Sequence, residues 1–147
     1  MLLIETKNIG TQTVLTNGII GVGQTTRRYT KKAKNCQSAL VNNGDSITLN
    51  ADGIYEVTAN FVFSGVDTGN VTVQAIENGE IINGTFATET ITIPDAEIRT
   101  MTLHFKVLVD SNCVLGCVST LAKNIAFANI GVGATFISVI VDAKKVV

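Results

Sequence analysis

Apolar and polar residues alternate along much of this chain with a period of two. In 53–63, GIYEVTANFVF, the residues Tyr55, Val57, Ala59, Phe61 and Phe63 are apolar, and Glu56, Thr58 and Asn60 between them are polar. In 98–109, IRTMTLHFKVLV, Met101, Leu103, Phe105, Val107 and Val109 share one parity. Thr100, Thr102, His104 and Lys106 share the other. Side chains on a strand point to alternate faces, so each stretch predicts a β-strand with one buried and one wet side. Further strands are predicted over 46–50, 70–76, 85–93, 124–130 and 134–141, with a weaker one over 113–120. No stretch carries a convincing amphipathic helix.

Turn residues separate these runs. Asn43-Gly44-Asp45, Asp52-Gly53, Asp67 to Gly69, Asn78-Gly79 and Asn83-Gly84 all tolerate positive φ. Glu77-Asn78-Gly79-Glu80 predicts a hairpin, because Asn-Gly suits a type I′ turn. About eight short strands spaced by roughly 8–12 residues predict an all-β, antiparallel jelly-roll sandwich. Residues 1–23 are less regular, with Gly10, Gly18, Gly21 and Gly23 breaking up short apolar pieces. They read as an N-terminal arm or added edge strand, and 24–147 as the jelly-roll domain.

Composition fits this picture. The chain has 147 residues, enough for one domain, with 46% apolar and 16% charged residues, no Trp and one Pro. The core must be largely aliphatic. The net charge of −1 hides a split: residues 1–44 carry six Lys/Arg and one acid, and residues 45–147 carry five Lys/Arg and eleven acids. Such a balance does not suit a whole-protein nucleic-acid binder and does suit pairing with copies of itself or with an acidic surface. MLLIETKNIG lacks the apolar run of a signal peptide, and no segment approaches the roughly 20 apolar residues of a membrane helix. Synthesis in the cytoplasm, without export or membrane contact, is expected.

Candidate chemistry is sparse. His104 is the chain's one histidine and falls on the polar parity of its strand. Its plain reading is an exposed strand residue, ahead of a metal ligand or a catalytic base. Cys113-Val-Leu-Gly-Cys117 has three residues between the sulfurs, which matches neither a redox CxxC nor half a standard zinc site. Buried free thiols are the expected state, with a bridge from Cys36 to Cys113 or Cys117 as the alternative. Asp67-Thr68-Gly69 matches an aspartic-protease triplet but has no second copy. Gly21-Val22-Gly23 and Gly131-Val132-Gly133 are not followed by helices, so they lack the phosphate-binding context. Asn70-Val71-Thr72 and Asn83-Gly84-Thr85 read as glycosylation sequons arising by chance. No catalytic, cofactor-binding or metal-binding residue is assigned.

One segment stands out. Arg27, Arg28, Lys31, Lys32 and Lys34 place five of the eleven basic residues in eight positions. Strand alternation sends Arg27, Tyr29 and Lys31 to one side and Arg28, Thr30 and Lys32 to the other. A strand charged on both sides is an edge strand or loop, where charge also discourages unwanted pairing. The plain reading is a solvated edge, followed by docking to acidic protein. Nucleic-acid binding ranks lower, since Tyr29 alone could stack, and a nuclear signal ranks last. These five residues are the partner-docking candidates.

The order of motifs carries a resemblance. Asp52-Gly-Ile-Tyr-Glu-Val57 resembles the Gly-x-Tyr strand of C1q/TNF-like jelly rolls, and 133–140 resembles their closing strand. The succession Arg27-Arg28, Cys36, Gly53-Ile-Tyr55, 70–74, Glu77-Asn-Gly79, Asn83-Gly-Thr85, Cys113 and Cys117, then Gly131-Val-Gly-Ala-Thr135, is similar to jelly-roll proteins of phages and prophages of gut Firmicutes. These are described as head fibre or capsid decoration proteins. The likeness covers about residues 25–143; the longer basic run and residues 1–23 depart from it. It implies a homotrimer on the virion (capsid exterior), bound to the major capsid protein or another virion component, with no enzymatic residues. A receptor-binding head fibre or tail module gripping host surface glycan is the alternative.

Overall fold

A computed structural model describes residues 2–30, 38–111, 113 and 118–147. The described residues form twelve strands and no helix. These are β1 (Leu3–Asn8), β2 (Gln12–Val14), β3 (Gly18–Ile19), β4 (Gln24–Tyr29), β5 (Leu40–Asn42) and β6 (Ile47–Leu49). Then come β7 (Gly53–Gly65), β8 (Gly69–Glu77), β9 (Glu80–Ile91), β10 (Ile98–Val109), β11 (Lys123–Asn129) and β12 (Ala134–Lys145). They make two antiparallel sheets. The first has the order β10-β7-β12-β1-β4, with β2 also on β12. The second has the order β5-β6-β11-β8-β9, with β3 also on β11. This is the jelly-roll sandwich that the alternation predicts.

Alternation also predicts the core. Tyr55, Val57, Ala59, Phe61 and Phe63 of β7 are fully buried, and Met101, Leu103, Val107 and Val109 of β10 are nearly so. Phe61 meets Phe127 edge-on at 5.4 Å and Phe136 at 6.0 Å; Phe63 packs on Phe136 at 5.5 Å. This small aromatic cluster anchors an otherwise aliphatic interior, as the scarcity of aromatics requires. The Tyr55 hydroxyl donates to the Ala51 carbonyl at 2.8 Å, so the buried phenol keeps a partner, and burial pushes its pKa up.

Residues 2–23 supply β1, which lies between β12 and β4 with Leu2, Leu3 and Ile4 buried, together with the short β2 and β3. Two of the expected strands differ in detail. The strand expected from residue 85 begins at Glu80, and Asn83-Gly84 is not a turn between strands. Pairing passes from Gln74↔Phe86 to Ile76↔Ile81, so residues 82–85 bulge from β9 opposite Ala75. The Gln74 amide fills that bulge, donating to the carbonyls of Ile82 and Thr85 at 3.0 Å each. The weaker strand expected over 113–120 is absent at its described positions, Cys113 and 118–120. The hairpin at Asn78-Gly79 forms as expected, with φ of 51° and 81° and Glu77 opposite Glu80.

The sandwich has two open flanks. On one, β9 lies against β10; on the other, β4 lies near β5.

Candidate functional site

The β4 flank holds the first candidates. All six β4 side chains are exposed; among the described residues β4 pairs with β1 alone and ends its sheet. Arg27 Nη2 meets Glu5 Oε2 at 2.8 Å, and Thr26 Oγ1 donates to the other carboxylate oxygen at 2.8 Å. These bonds, Arg27's first, hold the Glu5 carboxyl below its ordinary range and raise Arg27 in turn. Register continues this row across the sheet: Arg27, Glu5, Asp142, Thr58, His104. Partial burial, then the neighbouring Glu5, pushes the Asp142 carboxyl up. Arg28 points the other way, and its Nη1 donates to the Leu40 carbonyl on β5 at 3.3 Å. Both arginines thus have intrachain partners while staying at the surface. Lys31, Lys32, Lys34 and Cys36 lie outside the described residues.

The opposite flank is apolar and acidic. Ile81 and Phe86 of β9, Ile98 and Leu108 of β10 and Ile93 between them are 55–67% exposed. Glu80, Glu89, Asp95 and Glu97 lie along the same flank. Isolated exposed aliphatics are ordinary on any protein; these five fall on the two adjacent edge strands and the segment that joins them. Sequence reasoning missed this flank because Ile81, Ile93, Ile98 and Leu108 sit on parities that look unremarkable until β9 and β10 are known to be adjacent.

The β9–β10 connection is tied down by one carboxylate. Glu97 Oε1 accepts from Thr92 N at 2.9 Å and Ile93 N at 2.5 Å, and from the Thr92 hydroxyl; its second oxygen pairs with Arg99. The Thr92 hydroxyl leads these bonds in drawing the Glu97 pKa from 4.5 to about 2.

The other sequence candidates do not converge. His104 is exposed, 4.0 Å from Glu56. Among the described residues, no group of three or more His, Cys, Asp or Glu could hold a metal ion. Cys113 is disulfide-bonded, which corrects the expectation of a buried free thiol there. A bridge to Cys113 is the alternative reading, and sequence spacing alone does not choose between bridge and thiol; Cys36 and Cys117 lie outside the described residues. The buried Asn50 sits beneath Cys113. Its Nδ2 lies 3.5 Å from Cys113 Sγ, and its Oδ1 accepts from Ser111 Oγ at 2.7 Å and Ser119 N at 3.0 Å.

A shallow groove of about 290 Å³ opens on the outer face of the second sheet, lined by Ile19, Asp45, Ser46, Ile76, Asn124 and Ala126, with Gly79 at its rim. Asn124 is fixed there, donating from Nδ2 to Ser46 Oγ at 2.9 Å and to Thr48 Oγ1 at 3.3 Å. The groove joins residues from four separate stretches of chain, which no local sequence signal links.

No protein-family model and no curated protein matches the sequence. Solved structures do. The chain is similar to PRD1 vertex protein P5, with a TM-score of 0.54 and 16% identity over 99% of this chain and 97% of that one. It is similar to Eiger TNF from S. frugiperda, with a TM-score of 0.66 and 7% identity over 99% and 91%. The globular domain of zebrafish complement 1qA gives 0.56 and 5% over 100% and 98%. At such identities the likeness shows the fold: a jelly roll of the C1q/TNF type.

Proposed function

We propose that this protein is a phage virion structural subunit, a homotrimeric jelly roll that attaches to the capsid exterior as a decoration protein. The observation that carries the proposal is the difference between the two flanks. Exposed Ile81, Phe86, Ile93, Ile98 and Leu108 line one, among acids, and the basic β4 lines the other. An exposed apolar flank is buried when copies of one subunit associate through it, and such contacts close into a ring when the rotation allows. A ring of three buries the apolar flank of every copy. The similarity to PRD1 vertex protein P5 and to TNF and complement 1qA domains supports the same reading. The work of such a protein is binding.

The basic segment is then the contact with acidic capsid protein. Arg28, Lys31, Lys32 and Lys34 supply that charge, and Arg27 contributes less because Glu5 already neutralises it. Exposed charge pairs are screened by salt. Co-sedimentation of the purified chain with undecorated capsids, from cells that encode it, is expected to weaken as salt rises. Arg28→Glu with Lys31→Glu is expected to weaken it further. Attachment unchanged from low to high salt would remove the basic segment from the contact.

A second reading draws on the groove on the outer face. Asp45 and Asn124 offer oxygen acceptors beside an apolar floor of Ile19, Ile76 and Ala126, a combination that suits one sugar ring. In this reading the subunit is a head fibre or tail module gripping host surface glycan. A glycan array hit abolished by Asp45→Ala supports it; an array without hits argues against it.

A further inference from the structure

Four asparagines precede a glycine in this chain: Asn17, Asn43, Asn78 and Asn83. An Asn-Gly pair can react with itself. The backbone nitrogen of the glycine, having lost its proton, attacks the asparagine Cγ. A C–N bond forms, the bond from Cγ to the amide nitrogen breaks, and ammonia leaves with the proton. The resulting five-membered succinimide takes up water at either carbonyl and opens to aspartate or isoaspartate. Ammonia is lost, water is gained, and no oxidant or reductant takes part. Two conditions govern the rate in a folded chain. The carboxamide must be free to turn, and the glycine nitrogen must be free to approach it.

Three of the four sites fail these conditions. Gly18 N donates to the Leu15 carbonyl at 2.9 Å, and Asn17 N to the Asn129 carbonyl at 2.6 Å. The Asn43 carboxamide donates to Ser46 Oγ at 3.1 Å and Thr48 Oγ1 at 2.9 Å, while Gly44 N donates to Asn42 Oδ1 at 2.8 Å. Asn78 Oδ1 accepts from Asn124 N at 2.7 Å, and its Nδ2 reaches the Ala122 carbonyl at 3.4 Å. At each of these, hydrogen bonds must open before the ring can close.

Asn83 is different. It is exposed and makes no side-chain hydrogen bond among the described residues. Gly84 is exposed, with φ of 79° and, like Gly44 and Gly79, nothing within 4 Å of where a Cβ would stand. The pair sits at the middle of the 82–85 bulge, outside the β8–β9 pairing. The Gln74 amide grips the carbonyls on either side, at Ile82 and Thr85, and bonds neither Asn83 nor Gly84. An isoaspartate lengthens the main chain by one carbon, and a bulge absorbs that without shifting the ladder.

We infer that Asn83-Gly84 is a self-modification site, where this protein converts asparagine to aspartate and isoaspartate in its native state. The product adds one negative charge to β9, beside Glu80 and Glu89, and so changes the apolar and acidic flank slowly after synthesis. The inference rests on the β9 bulge alone and holds whatever the function of the chain.

The test is to age the folded, full-length chain in mildly alkaline buffer and follow each Asn-Gly pair. Peptide mass spectrometry and an isoaspartate methyltransferase assay give the extent at every site. Conversion at Asn83 is expected to run about tenfold or more ahead of the other three, because those need local opening first. In denaturant the four are expected to react at similar rates. Gly84→Ala is expected to suppress the reaction, and Gln74→Ala, which releases the bulge, to leave it intact. Equal native rates at the four pairs would overturn the inference. So would an inert Asn83 in folded protein whose denatured form reacts.

Discussion

Gly131 shows how a single residue can hold two strands in contact. It sits where the β11–β12 turn passes along β8. A Cβ built on it would lie 2.1 Å from the Asn70 carbonyl oxygen and 2.7 Å from Thr72 N. Its neighbours bond the same strand, Ile130 N to the Thr72 carbonyl at 2.8 Å and Val132 N to the Asn70 carbonyl at 2.9 Å. Asn129 completes the turn, accepting from Gly131 N and donating to the Val132 carbonyl. Backbone cannot yield as a side chain can, so Gly131→Ala is expected to cost about 3 kcal/mol, the upper end for overpacking. Gly10→Ala, whose nearest neighbour is Asn8 Oδ1 at 3.5 Å, is expected to stay within about 0.5 kcal/mol. Urea denaturation of both variants gives the comparison. The sequence shows Gly131-Val132-Gly133 only as a pair of glycines without a helix after it. What Gly131 is for depends on a strand some 60 residues away. The same distance problem hid the Glu5–Arg27 pair, which arises from the β1–β4 register. The Asn78-Gly79 turn was legible because its cause is local.

At the scale of elements, the β9–β10 connection depends on one ionised group. The Glu97 pKa falls from 4.5 unfolded to about 2 folded, through its bonds to the Thr92 hydroxyl and to the amides of Ile93 and Thr92. A lowered folded pKa contributes stability that is complete above 4.5 and is lost as pH falls towards about 2. Wild type is therefore expected to exceed Glu97→Gln in stability at neutral pH, with the gap closing through that acid window. Denaturation midpoints measured across the window check this; a gap independent of pH would contradict it. Strands with strict alternation, β7 and β10, were legible nearly to the residue. β9 was not. Its bulge at 82–85 interrupts the parity, and Asn83-Gly84 reads locally as a turn. The shorter β2, β3 and β5 give too few residues for a period to show. Their positions follow from the strands they join.

For the whole molecule, period-two patterning and turn spacing determine a sandwich but leave its strand order open. The order comes from which apolar faces meet, as in the Phe61, Phe63, Phe127 and Phe136 cluster drawn from three strands. Strand order in turn makes the flanks: it brings β9 beside β10 and leaves β4 at the far edge. The charge split of the chain, basic before residue 45 and acidic after it, is the one sign of this asymmetry that the sequence carries. Association would cover the exposed apolar flank and add stability by mass action. The proposal that this chain is an assembling structural subunit therefore stands or falls on self-association. The direct measurement is the native mass of the purified chain at micromolar concentration. A species of three subunits is the predicted result, and monomer alone would contradict the account.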